Sequence, residues 1–292
     1  MTILITGSNG ITARRLTALL HPQYPLLIAS RSVRSEATSP PRVRFDWKDP
    51  KTFTNPFEHA QAQRQPITAV YLVAPTGEQD VTDGELTFIS LAAGRGVKRF
   101  VLLGSSMVPE GGPFMGQVHK RLREMNGVEW AVLRPSWFME NFSEQQHLPT
   151  ILHERKIYTA TGRGRLPFCS ADDIAATAFH ALTSPSPPDR EFFILGPDLL
   201  SYADVARILT DVIGEEVTHV DLSSEGLIGR LMAFGVSGAT AELLAGMDER
   251  IRRGAEERTG GDVEDVLGRP PRSLRRFAED NRSVWARHRG NV

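Results

Sequence analysis

The N-terminal run Ile3-Leu4-Ile5-Thr6-Gly7-Ser8-Asn9-Gly10-Ile11-Thr12-Ala13 constrains the fold of this chain more than any other stretch. Three apolar residues read as a short buried strand and a glycine-rich turn follows at once. Residues 13–20 then read as a helix, with Leu16, Leu19 and Leu20 available for one face. Strand, glycine turn and helix in that order are the context a dinucleotide fingerprint requires, with an ordinary αβ turn as the alternative. Gly7 suits the tight turn. Gly10 lets the backbone approach a pyrophosphate with no Cβ in the way, and small Ala13 lets the helix pack closely on the strand. The helix N-terminus offers free N–H groups and a partial positive charge to the phosphates. Gly7, Ser8, Asn9, Gly10, Ile11 and Thr12 are therefore candidate cofactor residues.

The rest of the first half repeats strand then helix or loop, which predicts a parallel sheet with right-handed crossovers. Further strands are expected at 26–30, 43–45, 69–73, 99–103 and 129–133. Helices are expected at 84–94 and 116–126, and 50–65 is compatible with helix. The C-terminal ends of such strands are where ligands bind. Ser30-Arg31-Ser32 close the second strand, at the place where an NAD enzyme puts an acid for the ribose hydroxyls. An arginine there suits the 2′-phosphate of NADP instead, with Arg34 in support; a solvated turn arginine is the alternative. Asp46 could accept from an adenine amine, and Trp47 could pack on the base or be a plain core or surface aromatic. Val73-Ala74-Pro75 fall near the expected nicotinamide ribose, and Ser105 and Pro135 complete the set.

The chain has 292 residues, enough for one large α/β domain or a domain plus a smaller cap. Lys+Arg is 34 against Asp+Glu 35, a net charge of −1, so there is no electrostatic case for nucleic acid or an anionic membrane as partner. A single cysteine, Cys169, excludes an intrachain disulfide and an all-cysteine metal site. It reads as a small buried residue. His147 and His153 have no metal spacing with an acid and read as structural, so no metal is expected. No apolar run is long enough to span a bilayer and no signal peptide is visible, so a cytoplasmic protein, monomer or weak dimer, is expected.

The second half is patterned differently. Residues 151–161 and 165–170 read as a short irregular section, 171–182 as a helix with Asp172-Asp173 in its first turn, and 192–195 as a strand. Ser201 is placed to cap the next helix, 216–222 looks like a short strand, and from 223 the pattern is helical, ending in a helix at 273–288. The expected organisation is a Rossmann-type, doubly wound parallel sheet of α/β class over 1–142, with 171–182 and 190–197 returning to it. A smaller, mainly helical substrate region would comprise 143–170 and 198–292.

Four stretches together resemble the NmrA-like atypical short-chain dehydrogenase/reductases: Thr6-Gly7-x-x-Gly10, Val73-Ala74-Pro75, 127–135 (Gly-Val-Glu-Trp-Ala-Val-Leu-Arg-Pro) and Trp137-Phe138-Met139-Glu140-Asn141-Phe142. With Met115-Gly116-Gln117-Val118-His119, Lys156-Ile157-Tyr158, Ser170-Ala171-Asp172-Asp173 and Gly268-Arg269-Pro270-Pro271-Arg272-Ser273, the chain is similar over nearly its whole length to the festuclavine and agroclavine dehydrogenases of fungal ergot-alkaloid pathways. That resemblance implies an NADPH-dependent reduction of an imine or iminium in an indole alkaloid, with a small-molecule alkaloid as partner.

The residues bear on that chemistry. A Tyr-x-x-x-Lys pair is the usual proton donor of the superfamily. The four tyrosines, Tyr24, Tyr71, Tyr158 and Tyr202, are followed four places on by Ile28, Pro75, Gly162 and Ala206, so the pair is absent. Reducing a ketone creates an alkoxide and needs a general acid; an iminium already carries the positive charge and needs none for the hydride step. The absence equally fits a non-catalytic NADP-binding redox sensor, and a cofactor-assisted cyclase of prenylated indole alkaloids is a third possibility. His119 is the candidate proton-handling residue, or else a packing histidine. Trp137, Phe138, Asn141, Phe142 and, further along, Phe168 are the candidate substrate residues, with aromatic walls suited to an indole and to a cation. Packing as a hydrophobic hinge is the alternative for Trp137 and Phe142.

Overall fold

The computed structural model describes residues 1–33, 39–75 and 80–286; Arg34 and His288 lie outside the described residues. The first elements in chain order are β1 (Thr2–Ile5), α1 (Ile11–Leu20), β2 (Leu26–Ser30), β3 (Arg42–Arg44), α2 (Asn55–Glu58), α3 (Ala60–Arg64), β4 (Ile67–Leu72), α4 (Thr82–Gly94), β5 (Arg99–Leu103), α5 (Met115–Glu124) and β6 (Glu129–Pro135). They are followed by α6 (Leu148–Glu154), β7 (Lys156–Thr159), β8 (Arg165–Leu166), α7 (Ala171–Thr183), β9 (Arg190–Ile194) and β10 (Leu200–Ser201). Last come α8 (Tyr202–Ile213), β11 (Thr218–Asp221), α9 (Ser224–Ala233), α10 (Gly238–Arg252), α11 (Val263–Leu267) and α12 (Leu274–Asp280).

The chain divides into two compact units. The first comprises Met1–Arg134, Ala171–Phe193 and Asp265–Gly268; the second comprises Pro135–Ser170, Ile194–Glu264 and the chain from Arg269 on.

The first unit is built on a seven-stranded sheet of order β3-β2-β1-β4-β5-β6-β9, in which β1 to β6 pair in parallel. Every residue of β1 and β2 is buried, as expected of strands covered by helices on both faces. On one face α1 and α7 pack together and are joined by the Arg15–Asp172 ion pair at 2.9 Å. Phe45, Trp47, Phe53 and Phe88 form an aromatic knot in the core. The strand order reverses between β1 and β4, which opens the crevice where such sheets take a nucleotide.

The second unit is mainly helical, with two small ribbons: β7 with β11, parallel, and β8 with β10, antiparallel. Its core gathers Phe142, Phe168, Tyr202, Phe277 and Trp285. The Trp285 indole donates to the Phe142 carbonyl at 2.8 Å, and the Arg155 guanidinium donates to the Trp285 carbonyl at 3.0 Å, so the C-terminal segment is tied into that core. Helices α8, α9, α10 and α12 each start on a serine, Ser201, Ser223, Ser237 and Ser273, whose hydroxyl accepts from a first-turn N–H.

Two expectations are corrected and a third is refined. The stretch 151–161 is not irregular: it carries the end of α6 and all of β7, whose partner β11 lies some 60 positions along the chain, too far for local pattern to reveal. The stretch 50–65, expected only to be compatible with helix, is helical in short pieces around Pro50 and Pro56, so here the structure refines the expectation. The last helix stops at Asp280, where Asn281 turns its side-chain amide back on the Phe277 carbonyl at 2.9 Å and a short 3₁₀ turn (Arg282–Trp285) follows.

Candidate functional site

The β1–β4 crevice is organised by one buried threonine. The Thr6 hydroxyl donates to the Tyr71 carbonyl (3.0 Å) and accepts from the Val73 N–H (2.8 Å), locking the exits of β1 and β4 together. The Tyr71 hydroxyl in turn donates to Thr12 Oγ1 on α1 at 3.1 Å, so strand, turn and helix form one hydrogen-bonded frame. Gly7 has φ +64, and a Cβ there would lie 2.8 Å from the Val73 Cβ; only glycine fits both the turn and the neighbour. Gly10 closes the turn with its N–H on the Gly7 carbonyl at 2.8 Å, and a Cβ on it would meet that carbonyl at 3.0 Å. Gly10 is also the N-cap of α1, and no side chain caps that helix. The N-terminus of α1 therefore keeps its donors for an anion.

The other strand ends carry the remaining cofactor candidates. The buried Ser30 hydroxyl donates to the Ser32 carbonyl at 2.9 Å, closing the turn that holds Arg31 exposed after β2. Asp46 is half-buried and one oxygen accepts from the Lys48 N–H at 3.0 Å. Trp47 belongs to the core: its ring is packed edge-on by Phe45 and Phe88, and its indole N–H donates to the Val73 carbonyl at 3.0 Å. It braces the β4 exit instead of offering a face to a base. Val73, Ala74 and Pro75 are half-buried at that exit. Ser105, half-buried after β5, has its carbonyl held by Arg134 Nε at 3.2 Å, and Arg134 also pairs with Glu191 at 2.6 Å. Pro135 is the buried last residue of β6.

His119 is buried on α5, its ring 5.5 Å from that of Trp130, the second residue of β6. Burial lowers its pKa below the usual imidazole value, with Glu191 and Glu110 opposing, so at neutral pH it is an uncharged packing group against the N-terminal half of that strand.

The second unit holds a cavity of about 90 Å³. Trp137, Tyr158, Tyr202 and Phe234 supply aromatic surface, and His147, Thr159, Arg230 and Asp248 supply polar groups. Trp137 is the one expected substrate residue on this lining. Phe142 and Phe168 are fully buried one layer behind it: Phe142 stacks on His147 (5.3 Å) and Phe168 meets Tyr202 edge-on (5.3 Å). Phe138 and Asn141 are half-buried; Phe138 forms a β-bridge with Cys169 and lies off the lining. His147, read from sequence as structural, does stack in the core yet also faces the cavity. Full burial pushes its pKa down to about 3, keeping it neutral. Tyr158, Tyr202, Arg230 and Asp248 were missed because they come from elements far apart in sequence, with no motif linking them.

Among the described residues no group of His, Cys, Asp and Glu could hold a metal ion, and no helix is long and apolar enough to cross a membrane.

A parallel sheet reversing at β1–β4, a glycine turn there and a helix behind it with no side-chain cap give the chain a Rossmann-type architecture. Among solved structures, triphenylmethane reductase of Citrobacter in complex with NADP(H) superposes with a TM-score of 0.79 at 17% identity, covering 98% of this chain and 100% of that one. No protein-family model matches the chain. Agroclavine dehydrogenase of Claviceps fusiformis is 42% identical over 288 residues, 98% of this chain and 99% of that protein. Festuclavine dehydrogenase of Aspergillus fumigatus is 43% identical over 293 residues, 99% and 100% of the two chains. The chain belongs to the festuclavine and agroclavine dehydrogenase family of oxidoreductases.

Proposed function

We propose that this protein is an NADPH-dependent reductase that acts on the imine or iminium of an indole-type alkaloid. The observation that carries the reading is a glycine turn at Gly7 and Gly10 before a helix N-terminus with no side-chain cap, in a chain with no Tyr-x-x-x-Lys proton donor. The cradle residues Gly7 to Thr12 would hold the pyrophosphate against the α1 N-terminus, and Arg31 would meet the 2′-phosphate with a planar, permanently charged fork. Ser30 supports this by fixing the turn that presents Arg31. The bound cofactor supplies a hydride.

The chain's own residues then have two tasks. One is to bind a flat aromatic substrate, for which the rings of Trp137, Tyr158 and Tyr202 in the second unit are suited. The other is to favour an electrophile that needs no proton at the hydride step, because His119 is packed away and neutral. A cationic iminium meets that condition and a ketone does not.

The test is the loss of the reduced-nicotinamide absorbance on mixing protein, NADPH and an N-methylated dihydro-β-carbolinium, compared with a ketone of the same ring system. Turnover of the iminium and inertness of the ketone are expected. A ring-closed product formed with no NADPH consumed would favour the cyclase reading, and binding without any turnover the sensor reading.

A further inference from the structure

The cavity of the second unit contains one acid, Asp248 of α10, one helical turn after Leu244 and next to Met247, which also line it. One carboxylate oxygen, Oδ2, accepts the Ala160 N–H at 2.8 Å and is thereby fixed in direction. The other accepts no hydrogen bond among the described residues, and Asp248 makes no ion pair among them. The cations nearby are already engaged. Arg252 donates to the Ala160 carbonyl (2.8 Å), the Leu222 carbonyl (3.1 Å) and Asp221 (2.7 Å). Arg230 pairs with Glu154 at 2.7 Å and lies over the Tyr158 ring, 3.5 Å from its centroid. His147 is neutral.

Asp248 is half-buried and makes no ion pair among the described residues. The charge of Arg252, engaged mainly by Asp221 and two carbonyls, offsets its burial only in part, so the remaining cost is recovered when a cation docks against it. The walls around it are aromatic, with Trp137, Tyr158 and Tyr202 on the lining. Aromatic faces with a single directed carboxylate form the chemistry that recognises an organic ammonium. A divalent metal would need further oxygen or nitrogen ligands, and no such cluster exists among the described residues.

We propose that this cavity is a cation site in which Asp248 is the counter-ion of a protonated amine or iminium nitrogen, so that the protein selects nitrogen cations over neutral molecules of the same shape. The proposal rests on the reductase reading for the identity of the natural ligand but not for the existence of the site. It makes Asp248 a specificity residue, since it distinguishes charge and leaves shape to the aromatic rings.

The experiment measures dissociation constants by calorimetry at neutral pH for tryptamine, an indole ammonium, and tryptophol, its neutral alcohol counterpart. The full-length protein is used, with and without bound NADP+. The wild-type protein should prefer tryptamine by about ten- to a hundredfold, the range of one hydrogen bond to a charged group. Asp248→Asn should bind both ligands equally, at the affinity the wild type shows for tryptophol. Unchanged NADP+ affinity in the variant shows that it is folded. Equal affinity for the two ligands in the wild type overturns the proposal, and so does a preference that survives Asp248→Asn; the wild-type comparison stands even if the variant does not fold. A cation preference in a protein that never consumes NADPH would sink the reductase reading and leave the site. NADPH-driven turnover with no cation preference would do the reverse.

Discussion

The two units prepare for a ligand by opposite means. In the first, the binding geometry is made of backbone: a glycine at φ +64, strand ends brought to one edge by parallel pairing, and a helix left uncapped at Gly10. In the second, the four helices capped by Ser201, Ser223, Ser237 and Ser273 each have a first-turn N–H taken up by the serine hydroxyl, and the proposed recognition falls to side chains on a cavity wall. A backbone site suits a ligand that stays the same, because its donors do not depend on most side chains. A side-chain cavity can be respecified by a few substitutions. The difference teaches where to expect constancy and where to expect change within one reductase.

That contrast can be broken by mutation, and the largest effect belongs to the backbone site. Gly7→Val puts a branched side chain at positive φ and onto Val73, a conflict worth roughly 1–3 kcal/mol for the backbone alone before the clash is counted. We expect NADPH affinity to fall by about a hundredfold or more in a fluorescence titration, together with a lower Tm. Binding near the wild-type level would mean that the cradle lies elsewhere.

Arg31→Ala comes next. It would remove the charge-assisted contact proposed to the 2′-phosphate and should erase most of the preference for NADPH over NADH, by about ten- to a hundredfold in Kd ratio, while NADH binding changes little. Equal affinity of the wild type for both cofactors would contradict the assignment.

Trp137→Ala tests the other unit. It should raise the KM for an indole iminium by about tenfold, the weight of a lost aromatic contact, and leave the NADPH Kd unchanged. A change in both would show that the two sites are not separable.

The smallest effect concerns buried acids. Glu85, almost fully buried on α4, has a carboxyl pKa raised to about 7 by burial and, less strongly, by Asp80, and its Oε1 has no hydrogen-bond partner among the described residues. Its folded-state pKa lies above its unfolded one. The associated stability is therefore fully present below about pH 4.3 and is lost as pH rises through about 7. Glu85→Gln should leave Tm unchanged at low pH and raise it by roughly a few degrees at mildly alkaline pH. A Tm difference independent of pH would contradict the assignment. Asp248, pushed up to about 6 mainly by burial, provides the counterpart in the second unit: there the same raised acid serves a ligand.

The contrast between the units also governed what could be read from the sequence. The cradle was legible because its chemistry is local: Ile3 to Ala13 specify strand, turn and helix within eleven neighbouring positions, and Leu26–Ser30 and Arg99–Leu103 announce themselves as apolar runs. What eluded sequence reading depended on distant partners. For Trp47 the sequence left base stacking and core packing both open, and only the fold shows Phe45, Phe53 and Phe88 closing around it. Phe168, read as a wall, and Phe142, read as a wall or a packed hinge, form the layer behind the walls, because Tyr202 and His147 come between. Asp248 stands in an ordinary charged helix, and only the fold brings it to Ala160.

The reduction proposed for this protein is a hydride transfer to an already cationic carbon. It is tested most directly with NADPH carrying deuterium at both nicotinamide C4 positions, an N-methylated dihydro-β-carbolinium and mass analysis of the product. The account predicts one deuterium, on the former iminium carbon, in the wild type and in His119→Ala alike, since no acid is needed in that step. A reduced product without deuterium, or deuterium transfer that depends on His119, would contradict it.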